Sequence, residues 1–269
     1  MLSDIAAVNE TFGIYFLLMQ LTDMAAVQAA FANEKLFPPP AAPGAVYWLR
    51  SRVARFSHGP EHAHRRALAV AEIARVDPSH AARLAVSRIA AGDSVRQAII
   101  KAFSLVPDKC VDLIIDVAPS YFDPSRPTQS LEPLLDLLGR DEATAARIGV
   151  LVQACEATAA LVDNDLVPPA RTTKRVAPDG TLITLDLSEL PFGAPPRECP
   201  GKDLALTIAS AIVEARRDAA PNTPAAGDAA TPAAGDAAIS GKSSPSFAMM
   251  PRFPRNRDDQ GSGHAGGTL

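Results

Sequence analysis

Cysteine is scarce: the 269-residue sequence holds three, Cys110, Cys155 and Cys199. They are too few and too unevenly placed for a disulfide framework or a CxxC-type zinc site, and a reducing cytosol suits them. No long run of Lys or Arg occurs, and the formal charge is -4. Nothing here marks a phosphate-backbone partner, so nucleic acid is not expected. A HExxH-type pair is also missing, and His58, His64 and His80 read as surface or capping residues. Long apolar runs are lacking near the start. FGIYFLLM, Phe12 to Met19, follows acidic residues and falls far short of the roughly 20 residues a membrane span needs. Neither signal peptide nor membrane anchor is expected, and the chain reads as soluble and cytoplasmic.

What is present is apolar side chain in helical rhythm. With 47% hydrophobic residues, one well-buried domain is the expectation. IYFLLMQL is rich in strand formers, and TDMAAVQAAFAN follows as a helix capped by Thr22. FPPPAAPG (37–44) is a connection, because proline removes donors and holds the chain extended. Helical periods then occupy 61–75, 79–92 and 94–106, while VDLIIDVA (111–118) fits either a strand or a buried helical turn. PSYFDPSRPTQS reads as a turn-rich connection. A longer helix starts near Asp141, an N-cap acceptor, and is apolar nearly all round in its second half, as a central helix would be. Two β-rich pieces flank Pro178-Asp179-Gly180, and KDLALTIASAIVEARR is an amphipathic helix.

Beyond Arg217 the composition shifts to Ala, Pro, Gly and Asp, with TPAAGDAA twice in tandem at 223–230 and 231–238. Such a segment has too little apolar area to offset its ordering entropy. The expected organisation is a domain over 1–217, a disordered linker over 218–244, a possible docked strand in PSFAMMPRFP (245–254), and a disordered tail over 255–269. Cys110 and Cys155 sit in apolar helical surroundings and read as core residues.

The stretch with the most chemistry is FGAPPRECPG, residues 192–201. A cysteine that binds haem iron must be a thiolate, shielded from water, with backbone hydrogen bonds to its sulfur. Phe192 can cover the sulfur, Arg197 offers a cation, Gly201 permits close backbone approach, and the following helix N-terminus favours the thiolate. The spacing of Phe192, Gly193, Arg197, Cys199 and Gly201 resembles the haem-binding loop of the cytochrome P450 superfamily. Other segments resemble the same family in the same order. HGPEHAHRR looks like the helix entry carrying His62 and Arg66 toward the haem propionates, one turn apart on a single face. TTKRVAPDG looks like the strand whose Arg175 reaches a propionate, and QACEATA looks like the centre of the distal helix.

The resemblance implies a mainly α fold with a small β region, a compact and internally truncated P450-like fold. It implies haem as cofactor, Cys199 as thiolate ligand, and His62, Arg66, Arg175, Phe192, Arg197 and Gly201 around the porphyrin. Glu156 and Thr158 are the candidate catalytic residues on the distal helix. Three departures stand out. Pro195 replaces a glycine of the loop, Ala157 occupies the place of the proton-delivering Thr, and the helix bearing the family's Glu-x-x-Arg motif is absent between Leu166 and Pro168. Too little chain also precedes the distal helix for the usual pair of roofing helices, so an open distal face, or one covered by a redox partner or another protein, is expected. The implied function is a haem-thiolate oxidoreductase acting on a small or carrier-bound metabolite in a biosynthetic pathway, with atypical chemistry allowed by the missing Thr. The alternatives are a non-catalytic P450-like helper that activates a partner enzyme, and a haem or small-molecule sensor.

Overall fold

A computed structural model of the protein describes residues 18–168 and 172–219. The expected strand at 245–254, the linker beyond residue 219 and the first residues of IYFLLMQL lie outside them. Nine α-helices and three strands are formed among the described residues. The order is β1 (Leu18–Leu21), α1 (Met24–Ala32), α2 (Tyr47–Arg50), a 3-10 turn (Ala54–Phe56), α3 (Gly59–Ala74), α4 (Pro78–Ala90) and α5 (Val95–Phe103). After a second 3-10 turn come α6 (Val111–Phe122), α7 (Leu131–Leu138), α8 (Glu142–Asp163), β2 (Thr172–Val176), β3 (Leu182–Asp186) and α9 (Lys202–Ala219).

Local chemistry sets several helix starts. Asp141 caps α8 as expected, accepting the Thr144 N–H at 2.6 Å. The cap of α1 is Asp23, which accepts from Ala26 N–H at 2.9 Å, one residue beyond the expected Thr22. A carboxylate accepts the bond and also meets the positive helix end, so it outcompetes the neighbouring hydroxyl. Ser94 and Gln97 form a reciprocal capping box on α5. VDLIIDVA resolves as helix, because α6 buries Val111, Ile114, Val117, Ala118 and Tyr121 at helical spacing. It also takes in Pro119-Ser120-Tyr121-Phe122, which the sequence placed in the following connection. α7 is an element the sequence reading did not anticipate, and α9 runs two residues past the expected boundary at 217.

β3 is the middle strand, parallel to β1 (Leu18 opposite Leu182) and antiparallel to β2 (Val176 opposite Leu182). Val27, Ala30 and Phe31 of α1 cover this sheet with Ile183, Leu185, Leu187 and Ala194, forming a small separate core. The main core is helical and centres on α8, where Ile148, Leu151, Cys155 and Ala159 are wholly buried. Among the described residues α8 alone is long and apolar enough to cross a membrane, yet 67% of its apolar window lies buried inside the fold. Cys110 and Cys155 are buried, as expected.

A nearly buried polar contact joins α3 and α8. Glu72 on α3, only 7% exposed, accepts from Arg147 of α8 through both oxygens (3.0 and 3.2 Å) and from Arg75 at 2.6 Å. The chain leaves α8 by a turn in which Asp165 and Leu166 take positive φ (50° and 71°).

Candidate functional site

The segment from Phe192 to Gly201 forms a closed loop in front of α9. Cys199 N–H donates to the Phe192 carbonyl at 2.9 Å, and Arg197 N–H donates to the Ala194 carbonyl at 2.9 Å. Gly193 takes the positive φ of the turn (77°), and a Cβ there would come within 3.3 Å of the Phe31 ring. The Arg197–Ala194 bond closes a turn whose two central residues are Pro195 and Pro196, so the proline pair itself builds the bend at the position of the usual glycine. Gly201 sits less tightly than expected, since a Cβ there would meet only Ile73 at an ordinary 3.7 Å. Phe192 packs on the helical core, with Lys202 Nζ 5.7 Å above its ring.

Four of the basic residues singled out in the sequence, His62, Arg66, Arg175 and Arg197, lie near this loop. Arg66 Nη2 donates to the Glu198 carbonyl at 2.7 Å, and Arg197 Nη2 to the Ser57 carbonyl at 3.0 Å. Arg175, 5% exposed, lies over the Phe31 ring at 4.8 Å and donates Nη1 to Lys174 O (2.7 Å) and Thr173 Oγ1 (3.4 Å). These acceptors are all neutral. Arg175 Nε is buried with no hydrogen-bond partner. The Glu198 carboxylate is turned to Lys202 at 3.3 Å.

The result is a concentration of positive charge. Burial, and then Arg197, Arg66 and Arg175, push the His62 imidazole down to about 4. Burial, and then Arg197 and Arg55, push the Arg175 guanidinium down to about 10. Arg55 is a member of this group that sequence reasoning missed; it lies outside the quoted motifs. The Cys199 residue is exposed, but the atoms crowding its sulfur push the thiol pKa up. The Gly201 N–H and the charges of Arg66 and Arg55 act in the opposite sense without prevailing. The expectation that the helix N-terminus favours the thiolate is thus outweighed by desolvation in the protein alone.

The distal-helix candidates stand differently. Glu156 is engaged by Arg96 of α5, at 2.8 and 3.1 Å. Thr158 is wholly buried with its Oγ1 unpartnered, whereas Ala157 is exposed. The 100° turn between neighbouring helical residues thus places the hydroxyl inward and the alanine outward. The geometry brings His62, Arg66, Arg175 and Arg197 into one another's field, with Arg66 also acting on Cys199, and commits Glu156 elsewhere.

A scan of protein families gives no match, and neither does a search of curated proteins. Solved structures do match. P450BioI, in complex with hexadec-9Z-enoic acid ligated acyl carrier protein, superposes with a TM-score of 0.50 at 14% identity, over 73% of this chain and 84% of that one. The fold is cytochrome P450-like. A looser superposition, TM-score 0.39 at 11% identity, covers 77% of this chain and 84% of CalO2. Within the P450-like fold, α3, β2 and the loop before α9 bring these basic residues together.

The low His62 value has a consequence for acid stability. Between pH 6.5 and about 4 the unfolded chain binds a proton at His62 that the folded chain rejects. Stability is therefore present above pH 6.5 and falls as pH drops toward 4. Urea unfolding at a series of pH values checks this, and His62→Gln is expected to flatten that part of the profile. An unchanged slope in the variant would remove His62 from the account.

Proposed function

We propose that the protein is a P450-like haem-thiolate oxidoreductase, in which Cys199 would ligate the iron and His62, Arg66, Arg175 and Arg197 would hold the porphyrin's carboxylates. The observation that carries this reading is the positive cluster about Cys199 whose buried member, Arg175, keeps an unpartnered Nε. Buried cations with neutral partners are costly, and a dicarboxylate supplies the missing negative charge. The residues present therefore fit an iron porphyrin. When bound, it supplies one-electron and oxygen chemistry, with its iron made electron-rich by a thiolate.

The chain's own part is to hold and orient. Gly201 N–H bonds the Cys199 sulfur and lowers its proton affinity, while Arg66 and Arg55 favour the anion at the same atom. His62, neutral at pH 7, donates or accepts a hydrogen bond rather than adding charge. On α8 the exposed Ala157 carries no proton donor and Thr158 points inward, which supports chemistry that does not depend on proton delivery from that position. The substrate is a small or carrier-bound metabolite. The complex of P450BioI with an acyl carrier protein supports keeping the carrier-bound form.

Purified protein reconstituted with haemin is expected to give, after reduction under carbon monoxide, the red-shifted Soret band of a thiolate complex. Cys199→Ala is expected to lose that band while retaining porphyrin through the cations. Protein that takes up no haemin, or a band that survives Cys199→Ala, would sink the proposal.

A further inference from the structure

The peptide plane that carries Cys199 is held at both of its ends. Its N–H donates to the Phe192 carbonyl at 2.9 Å, within the loop, while its carbonyl, that of Glu198, accepts from Arg66 Nη2 of α3 at 2.7 Å. The first bond is made by backbone alone. The second is charge-assisted and spans 132 positions of sequence, so one side chain from another element decides how the plane is turned. Cys199 Cα is one of the six coplanar atoms, and fixing the plane fixes the root from which the thiol side chain leaves.

A second bond runs the opposite way between the same two stretches. Arg197 of the loop donates Nη2 to the Ser57 carbonyl, just before α3, at 3.0 Å. Ser57 is 2% exposed, and its hydroxyl turns back to the Val53 and Ala54 carbonyls (3.3 and 3.2 Å), so this acceptor is itself anchored. The Glu198 carboxylate takes no part, since it meets Lys202 at 3.3 Å. Two arginines, donating in opposite directions and both to backbone carbonyls, thus tie the loop to α3 and its entry.

In the proposed function Arg66 also meets a porphyrin carboxylate, and the two tasks are compatible. A guanidinium carries five N–H donors in a rigid fork, and one bond to the Glu198 carbonyl leaves four. The rigid fork also couples the tasks: a carboxylate gripped by its free edge orients the whole guanidinium, and with it the peptide on the other side.

We propose that Arg66 is a positioning residue for Cys199, fixing the Glu198–Cys199 peptide from α3 and so setting where the sulfur stands, with the Arg197 bond to Ser57 as the return tie. What the sulfur then ligates rests on the haem-thiolate reading; the hold itself belongs to the polypeptide.

Amide hydrogen exchange of the full-length protein, first without haemin, tests the hold. Arg66→Met is expected to speed exchange at the Cys199 N–H about tenfold, because a charge-assisted bond that kept its peptide in place is lost. The α9 N–H groups, that of Ile208 among them, are expected to stay unchanged. Arg66→Lys, which still offers a cationic donor, is expected to restore most of the protection. Haemin is then added, and the reduced carbon monoxide spectrum is normalised to the porphyrin bound. A residue that only met a carboxylate would change the amount bound and leave the thiolate band per porphyrin intact. Arg66→Met is expected to lower that ratio severalfold, and Arg66→Lys to recover it. Unchanged Cys199 exchange in Arg66→Met, equally fast exchange throughout α9, a Lys variant as perturbed as the Met variant, or an intact band per porphyrin would each overturn the proposal. Should the protein take up no haemin, the haem-thiolate reading fails and the exchange rates alone decide the role of Arg66.

Discussion

Glu72→Ala is expected to destabilise the protein by about 3 kcal/mol, from a total on the order of 10 kcal/mol. Glu72 is nearly inaccessible and holds Arg147 through two parallel hydrogen bonds and Arg75 through a third. Arg75 is half exposed and can return to water, but the Arg147 side chain is 25% exposed and loses its counter-charge where solvation is poor. The cost thus comes chiefly from the abandoned arginine. That gives a check beyond the size of the effect: in the Arg147→Met background, Glu72→Ala should cost distinctly less, as a double-mutant cycle in urea would measure. Equal costs in both backgrounds would show that the contact is decorative. The same pair supplies a bond between α3 and α8.

Leu151→Ala should cost about 3 kcal/mol and lower the melting temperature by roughly 10 °C. Leu151 is 0% exposed on α8, the helix that packs against α3, α5, α6 and α9. Removing its three outer carbons opens a void that cannot be filled by one neighbour's rotation, because the lining comes from several rigid helices at once. Thermal unfolding followed by circular dichroism measures it. A loss below about 1 kcal/mol would mean that α8 relaxes into the void and is not the rigid centre of the core.

The helices were legible where apolar residues recur at 3.6-residue spacing over three or more turns, as in α3, α4, α5, α8 and α9. α6 was ambiguous because Val111 to Ala118 is apolar enough to bury either as strand or helix; its packing against α8 decides the matter. α7 went unseen because eight residues with Pro133 among them carry little periodic signal. For the candidate site, the resemblance of the loop pointed to Cys199 and Arg197, and that of HGPEHAHRR to His62 and Arg66, which by spacing alone read as a solvated helix face. Arg55 was not legible, since the groups it acts on, Arg175 and Cys199, lie far along the chain. Glu72 was not legible, since in an amphipathic helix it reads as one more solvated carboxylate and its partner Arg147 lies 75 residues away. Thr158 was recognised as one residue out of register with the usual Thr, and its burial is the physical outcome of that step.

The two hydrophobic cores bear on how the Cys199 cluster keeps its shape. His62 and Arg66 are carried by α3, which packs on the helical core, whereas Arg175 is carried by β2 and rests on Phe31 of the smaller one. The smaller core holds few residues, and its sheet closes by pairing Leu18–Leu21 with a strand more than 160 positions along the chain. Such a unit opens at lower free energy than the helical bundle around α8. A dianion bridging Arg175 to His62 and Arg66 would then act as a clasp between two cooperative units, tying the looser one to the firmer.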